Sequence, residues 1–171
     1  KLRGEPWKGM PPPASEKEYL SRIEIGDAIL LYRALLRRMP QEQALDILRK
    51  IVAIGAGHSF DYLIEPISPE VLAKLPKEER RAMLDRNLDR FPNADILVDE
   101  AGTECIAFRV VHCRFPGMAL AAGHPELAPI FCSADKDYFE DHLGLAFARP
   151  HAMAEGAPSC PFRLCRRPHA R

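Results

Sequence analysis

The 171-residue chain carries no excess of charge: 24 basic side chains stand against 24 acidic ones, for a formal net charge of zero. A general nucleic-acid binder needs a basic surface to neutralise phosphates, so this balance argues against one. Long apolar runs are missing too. None approaches the roughly 20 residues of a bilayer-spanning helix, and no signal-peptide pattern opens the sequence. Gly55-Ala56-Gly57 lacks the third glycine of a nucleotide loop and follows a helical pattern. There is no Gly-x-Ser-x-Gly elbow and no His-Glu-x-x-His zinc helix. Nor is there a Cys-x-x-Cys. The gaps of 18 residues between Cys113 and Cys132, and of 27 between Cys132 and Cys160, match no zinc-finger spacing.

What is present reads as a globular protein, with 47% apolar and 28% charged residues. The length suits one domain of roughly 100–200 residues. Five cysteines (Cys105, Cys113, Cys132, Cys160 and Cys165) all fall in the last two-fifths of the chain. An odd number cannot all pair internally, and a domain of this size needs no disulfide staple. The expectation is therefore reduced thiols in a cytoplasmic protein.

Along the chain, Pro11-Pro12-Pro13 and the glycines before it predict an extended lead-in over residues 1–14. Ser15 with Glu18 forms a capping box, and Leu20, Ile23, Leu30, Leu31 and Leu35 follow at helical spacing. Pro40 ends that helix and opens a second, which Gly55 and Gly57 are expected to close. His58, Asp61 and Glu65 then fall between helices. Residues 69–91 predict further helix, broken at Pro76. After Pro92 the pattern turns to strands at 95–102 and 105–115. A helical stretch over 117–142 splits near Gly123-His124-Pro125, and strands at 145–153 and 161–166 complete the pattern. The fold class expected is α+β: N-terminal helices followed by a small, mainly antiparallel sheet with one inserted helical segment. It forms a single domain over 15–166, helical over 15–92 and cysteine-bearing sheet over 93–166, with a tail at 167–171.

Cys132-Ser133-Ala134-Asp135 is the first constellation able to carry chemistry. Residues three apart share a helix face, so thiol and carboxylate point the same way. A carboxylate raises a neighbouring thiol's pKa, so Asp135 suits a base, proton carrier or substrate anchor better than a thiolate activator. Cys113 at one strand end and Cys160 before another are candidates for the same sheet edge. Spacing leaves three readings open: a nucleophile with a proton relay, a zinc or iron–sulfur site on Cys113, Cys132 and Cys160, or plain packing. Arg149 either holds a substrate carboxylate bidentately or makes an ordinary ion pair. The histidines are scattered; His112 faces away from Cys113 on a strand, and His169 lies in the tail.

In order, Val110-x-x-Cys113, Gly123-x-Pro125-Glu126-Leu127, Cys132-x-x-Asp135, Arg149, Gly156 and Cys160-x-Phe162 resemble the L-2-amino-thiazoline-4-carboxylic acid hydrolase family, over roughly residues 105–165. The resemblance implies hydrolysis of a carbon–nitrogen or carbon–sulfur bond in a small, carboxylate-bearing five-membered ring. It further implies Cys132 or Cys113 as nucleophile, Asp135 as proton shuttle or water activator, Cys160 lining the site, and Arg149 and Glu126 binding substrate. Cys105 and Cys165 fall outside the motif and are assigned to packing or surface. No cofactor is expected on this reading. The expected partner is a small molecule, with no nucleic acid and no membrane, and a homo-oligomer is left open. The alternative from a different class is a module holding zinc or an iron–sulfur cluster on the three thiols. Two positions depart from the family pattern: Pro161 replaces a commonly acidic residue, and His151 lies in a segment that usually carries a threonine.

Overall fold

Ser15 caps the first long helix as the capping box predicts. In the computed structural model, which describes residues 2–65, 69–143 and 145–167, its hydroxyl accepts the Glu18 backbone N–H at 3.1 Å. Glu18 reaches back to the Ala14 N–H at 2.9 Å. Helix α1 (Glu16–Leu36) buries Ile25, Ile29 and Tyr32 on one stripe. Pro40 caps α2 (Gln41–Leu63). This helix runs straight through Gly55 and Gly57, contrary to expectation, and carries His58 and Asp61 inside it. Both glycines face open space, with nothing within 4 Å of an added Cβ. No packing therefore required a turn there, and the apolar stripe carried the helix on. Helices α3 (Pro69–Lys74) and α4 (Lys77–Asp89) meet at the break placed at Pro76.

The lead-in is a second correction. Residues Leu2–Trp7 form a 3-10 helix instead of extended chain. The Trp7 indole anchors it by donating to the Arg22 carbonyl at 3.2 Å. Gly26 leaves the room, since a Cβ there would lie 3.2 Å from the indole nitrogen.

The second half forms a four-stranded antiparallel sheet in the order β1-β2-β4-β3: β1 (Ala94–Ala101), β2 (Cys105–Cys113), β3 (Leu145–Ala148) and β4 (Cys160–Arg166). Inserted between β2 and β3 are α5 (Arg114–Ala121), a 3-10 turn at Pro125–Leu127, α6 (Ala128–Lys136) and a π-helical turn at Asp137–His142. The fold class is α+β. Strand β3 is shorter than the predicted 145–153: residues 149–152 are irregular, and a 3-10 turn at Met153–Glu155, closed by Gly156 at φ +90°, begins where the strand was expected to end. His169 lies outside the described residues.

The antiparallel register sets Cys105 directly opposite Cys165, and the two are joined in a disulfide. This corrects the expectation of five reduced thiols. Sixty residues of separation gave no sign of a contact that only strand pairing creates. Cys113, Cys132 and Cys160 remain free. Among the described residues, no helix is long and apolar enough to cross a membrane.

Apolar burial divides into two clusters. One joins the inner sheet face (Val98, Phe108, Phe162) to α4 and the π-helical turn. The other joins α1, the first half of α2, α5 and α6. Cys113, where β2 passes into α5, packs against both.

Candidate active site

A cavity of about 100 Å³ lies where the two apolar clusters meet. An apolar cavity of about 150 Å³ takes up benzene, so the scale is that of one small ring. Its walls come from the sheet (Val110, Phe162), from α2 (Phe60) and from α6 (Phe131). Into this apolar lining project Cys113, Cys132, Cys160, Asp135 and Arg149. The structure thus gathers five of the six residues singled out from the sequence.

Local chain geometry explains each placement. Cys132 and Asp135 sit one turn apart on α6, on the face turned to the cavity. Cys113 ends β2 at the N-cap of α5. On β4 the side chains alternate, so Cys160 and Phe162 line the cavity while Pro161 points to the other sheet face. The departure at Pro161 therefore lies off the cavity wall, as does His151. Strand β3 stops with Ala148 opposite Arg163, so Pro161 pairs with β2 alone. A proline is tolerated there because no strand needs its missing N–H.

Past the end of β3 the chain leaves the sheet and Arg149 turns inward. One of its terminal nitrogens, Nη1, donates to Asp135 Oδ2 at 2.6 Å. The guanidinium carbon lies 5.4 Å from the Phe162 ring centre and 5.7 Å from that of Phe147. The Arg149 and Asp135 side chains are 13% and 24% exposed, a pair largely withdrawn from water.

Burial sets the protonation of the site. It pushes the Asp135 carboxyl up to about 7, against the pull of Arg149 toward the charged form. Burial, with the negative charge of Asp135 behind it, pushes the Cys132 thiol up to about 12. Cys113 is pushed up to about 11, again mainly by burial. Cys160 is raised in the same way, although its sulfur accepts the Met153 backbone N–H at 3.1 Å. All three are thiols, not thiolates, at neutral pH. Among the described residues, no group of three His, Cys, Asp or Glu side chains is placed to hold a metal ion. The three thiols share the cavity wall without forming such a set.

Glu126 is the candidate that the structure places elsewhere; it is not on the cavity wall. Its carboxylate faces His124 Nδ1 at 3.3 Å, while Arg33 Nε donates to His124 Nε2 at 3.1 Å. That bond requires an unprotonated Nε2, which places the ring proton on Nδ1, toward Glu126. Arg33 also donates to the Ala122 carbonyl at 2.9 Å. The Gly-x-Pro-Glu-Leu segment is thus a bracket that ties the α5–α6 turn to α1.

Sequence reasoning missed Glu24. It reaches the rim of the cavity from α1, where its side chain stays exposed. Loss of hydration against the apolar wall nevertheless pushes its carboxyl up to about 7. Its signal in the sequence is faint: one acid on the edge of the stripe formed by Ser21, Ile25 and Ala28.

No curated protein and no solved structure matches the chain. The family model for L-2-amino-thiazoline-4-carboxylic acid hydrolase matches residues 21–164, which takes in most of α1, all of α2, the sheet up to Leu164 of β4, and every cavity residue named above. The chain belongs to the L-2-amino-thiazoline-4-carboxylic acid hydrolase family.

Proposed function

We propose that this protein hydrolyses a small cyclic amidine bearing a carboxylate, of the 2-amino-thiazoline-4-carboxylate type, with Cys132 as nucleophile and Asp135 as its proton acceptor. The observation that carries this reading is the cavity itself: one ring in size, apolar, and holding a thiol, a carboxyl group and a guanidinium on adjoining walls. Family membership supports the reaction type.

Arg149 is the one cationic side chain on the cavity wall among the described residues, and so the natural partner of the ring carboxylate. With that end fixed, the amidine carbon comes to Cys132. The thiol holds its proton at neutral pH, so attack and proton transfer go together: sulfur bonds to the ring carbon as Asp135 takes the thiol proton. Asp135 then gives that proton to the ring atom that leaves. The ring opens, and its whole skeleton stays attached to Cys132. In the second half a water attacks the same carbon. Asp135 takes one proton from the water, the carbon–Cys132 bond breaks as the new oxygen becomes a carbonyl, that proton returns to the sulfur, and the water's second proton passes to the nitrogen left on the carbon. Asp135 ends as it began. Cys113 and Cys160 shape the wall as neutral thiols.

The test is turnover of L-2-amino-thiazoline-4-carboxylate by the wild type and by Cys132→Ala and Cys113→Ala, with folding checked by circular dichroism. A nucleophile's removal costs at least about 10³-fold in rate. That loss is expected in Cys132→Ala, with a smaller change in Cys113→Ala. A folded Cys132→Ala variant with wild-type rate would remove Cys132 from the nucleophile role.

A further inference from the structure

Among the described residues the cavity wall offers one positive charge, and Arg149 has already committed it, since its Nη1 donates to Asp135 at 2.6 Å. Arg114, which bears on Cys113, is off the wall and paired with Asp95 at 3.1 Å, so among the described residues no second cation joins the groups around Asp135. Cys132 shares its helix, Cys113 comes from β2 and Cys160 from β4, all three neutral thiols. Glu155 near Cys160 and Glu24 at the rim are acids. A ligand that brings a carboxylate therefore confronts one guanidinium with two buried negative groups. In surroundings this poor in water, one guanidinium does not keep both ionised; like charges that share a site push one of them to take a proton.

We propose that a ligand's carboxylate takes the Arg149 guanidinium from Asp135, and that this exchange turns Asp135 into the proton acceptor of the cavity. The substrate thus raises the basicity of the group that must deprotonate Cys132. With an electrophilic ring carbon in place, the proton comes from the Cys132 sulfur as that sulfur bonds to carbon. With an inert ring it comes from solvent. Binding and activation are then linked through one ion pair. A ring lacking the carboxylate loses kcat as well as affinity, because its binding leaves Asp135 locked to Arg149. The inference rests on the proposed function only in taking a ring carboxylate as ligand.

The probe is cyclopentanecarboxylate, whose ring has no titratable atom and no bond to hydrolyse. It is titrated calorimetrically into the whole protein at pH 7, in buffers of differing ionisation enthalpy. With Asp135 at about 7 before binding, uptake approaching about half a proton per ligand is expected. In Asp135→Asn the probe still binds and the uptake vanishes. Equal uptake in both proteins, no uptake in the wild type, or no binding of the probe would each overturn the exchange. If Asp135→Asn fails to fold, the wild-type infrared difference spectrum decides. A protonated-carboxyl carbonyl band must grow as the probe binds, and its absence counts against the exchange. Turnover of 2-amino-thiazoline-4-carboxylate is measured separately. Proton uptake without turnover would sink the proposed reaction and keep the exchange; turnover without uptake would do the reverse.

Discussion

Cys132 and Asp135 are tuned in the same direction by the same cause. Burial raises both, to about 12 and about 7, so the thiol keeps its proton and the carboxyl group titrates in the neutral range. The pH dependence follows from Asp135. Its pKa is raised, so it is protonated and unable to accept a proton below about 7, and ionised above. On the proposed mechanism kcat/KM rises about tenfold per pH unit below pH 7 and levels off above it. A resting thiolate as the active form would instead give a rise continuing beyond about pH 9. Asp135→Asn loses the limb near pH 7 together with most of the activity. Arg149→Gln removes a charge-assisted bond worth about 1.5–3 kcal/mol, so KM rises by roughly 10- to 100-fold. The Cys132-x-x-Asp135 pair was legible because helical spacing alone puts both residues on one face. The bond from Arg149 to Asp135 was not, because it depends on where β3 ends. The setting of Glu126 was hidden for a related reason: its place beside His124 and off the cavity wall depends on how the α5–α6 turn meets α1.

At the level of elements, the capping box and the proline breaks fixed helix ends well, since each acts through one or two backbone groups. Ser15→Ala removes the hydroxyl that satisfies the Glu18 N–H, and a loss of about 1 kcal/mol in chemical denaturation is expected. The glycines of α2 show the limit of local signals. Gly55 and Gly57 favour a helix end by themselves, yet Ala44, Leu48 and Val52 before them pack on the second apolar cluster and Phe60 and Leu63 after them pack on the first, which carries the helix past both glycines. Their helical setting and open surroundings make a clear forecast. Gly55→Ala and Gly57→Ala each stabilise the protein by about 0.5–1 kcal/mol, seen as a raised Tm with the cavity undisturbed. Destabilisation by either substitution would mean that something packs closely on this face.

Across the whole molecule, the α+β class was legible because the change from a period of 3.6 to strand patterning near Pro92 persists over many residues. The cavity was not, because it arises between two apolar clusters assembled from both halves of the chain. The Cys105–Cys165 disulfide is equally non-local. Replacing both cysteines by serine frees a loop of sixty residues, with an expected loss of about 2–4 kcal/mol in denaturant unfolding. Both residues lie off the cavity wall, so turnover at moderate temperature should persist. The central claim is a covalent intermediate on Cys132, and the most direct measurement is the mass of protein quenched in acid during turnover of L-2-amino-thiazoline-4-carboxylate. Ring opening expels no fragment, so the account predicts an increment equal to the whole substrate, located on the peptide carrying Cys132 and missing from Cys132→Ser. An increment on Cys113 or Cys160, or rapid turnover with no adduct detectable on any cysteine, would contradict it.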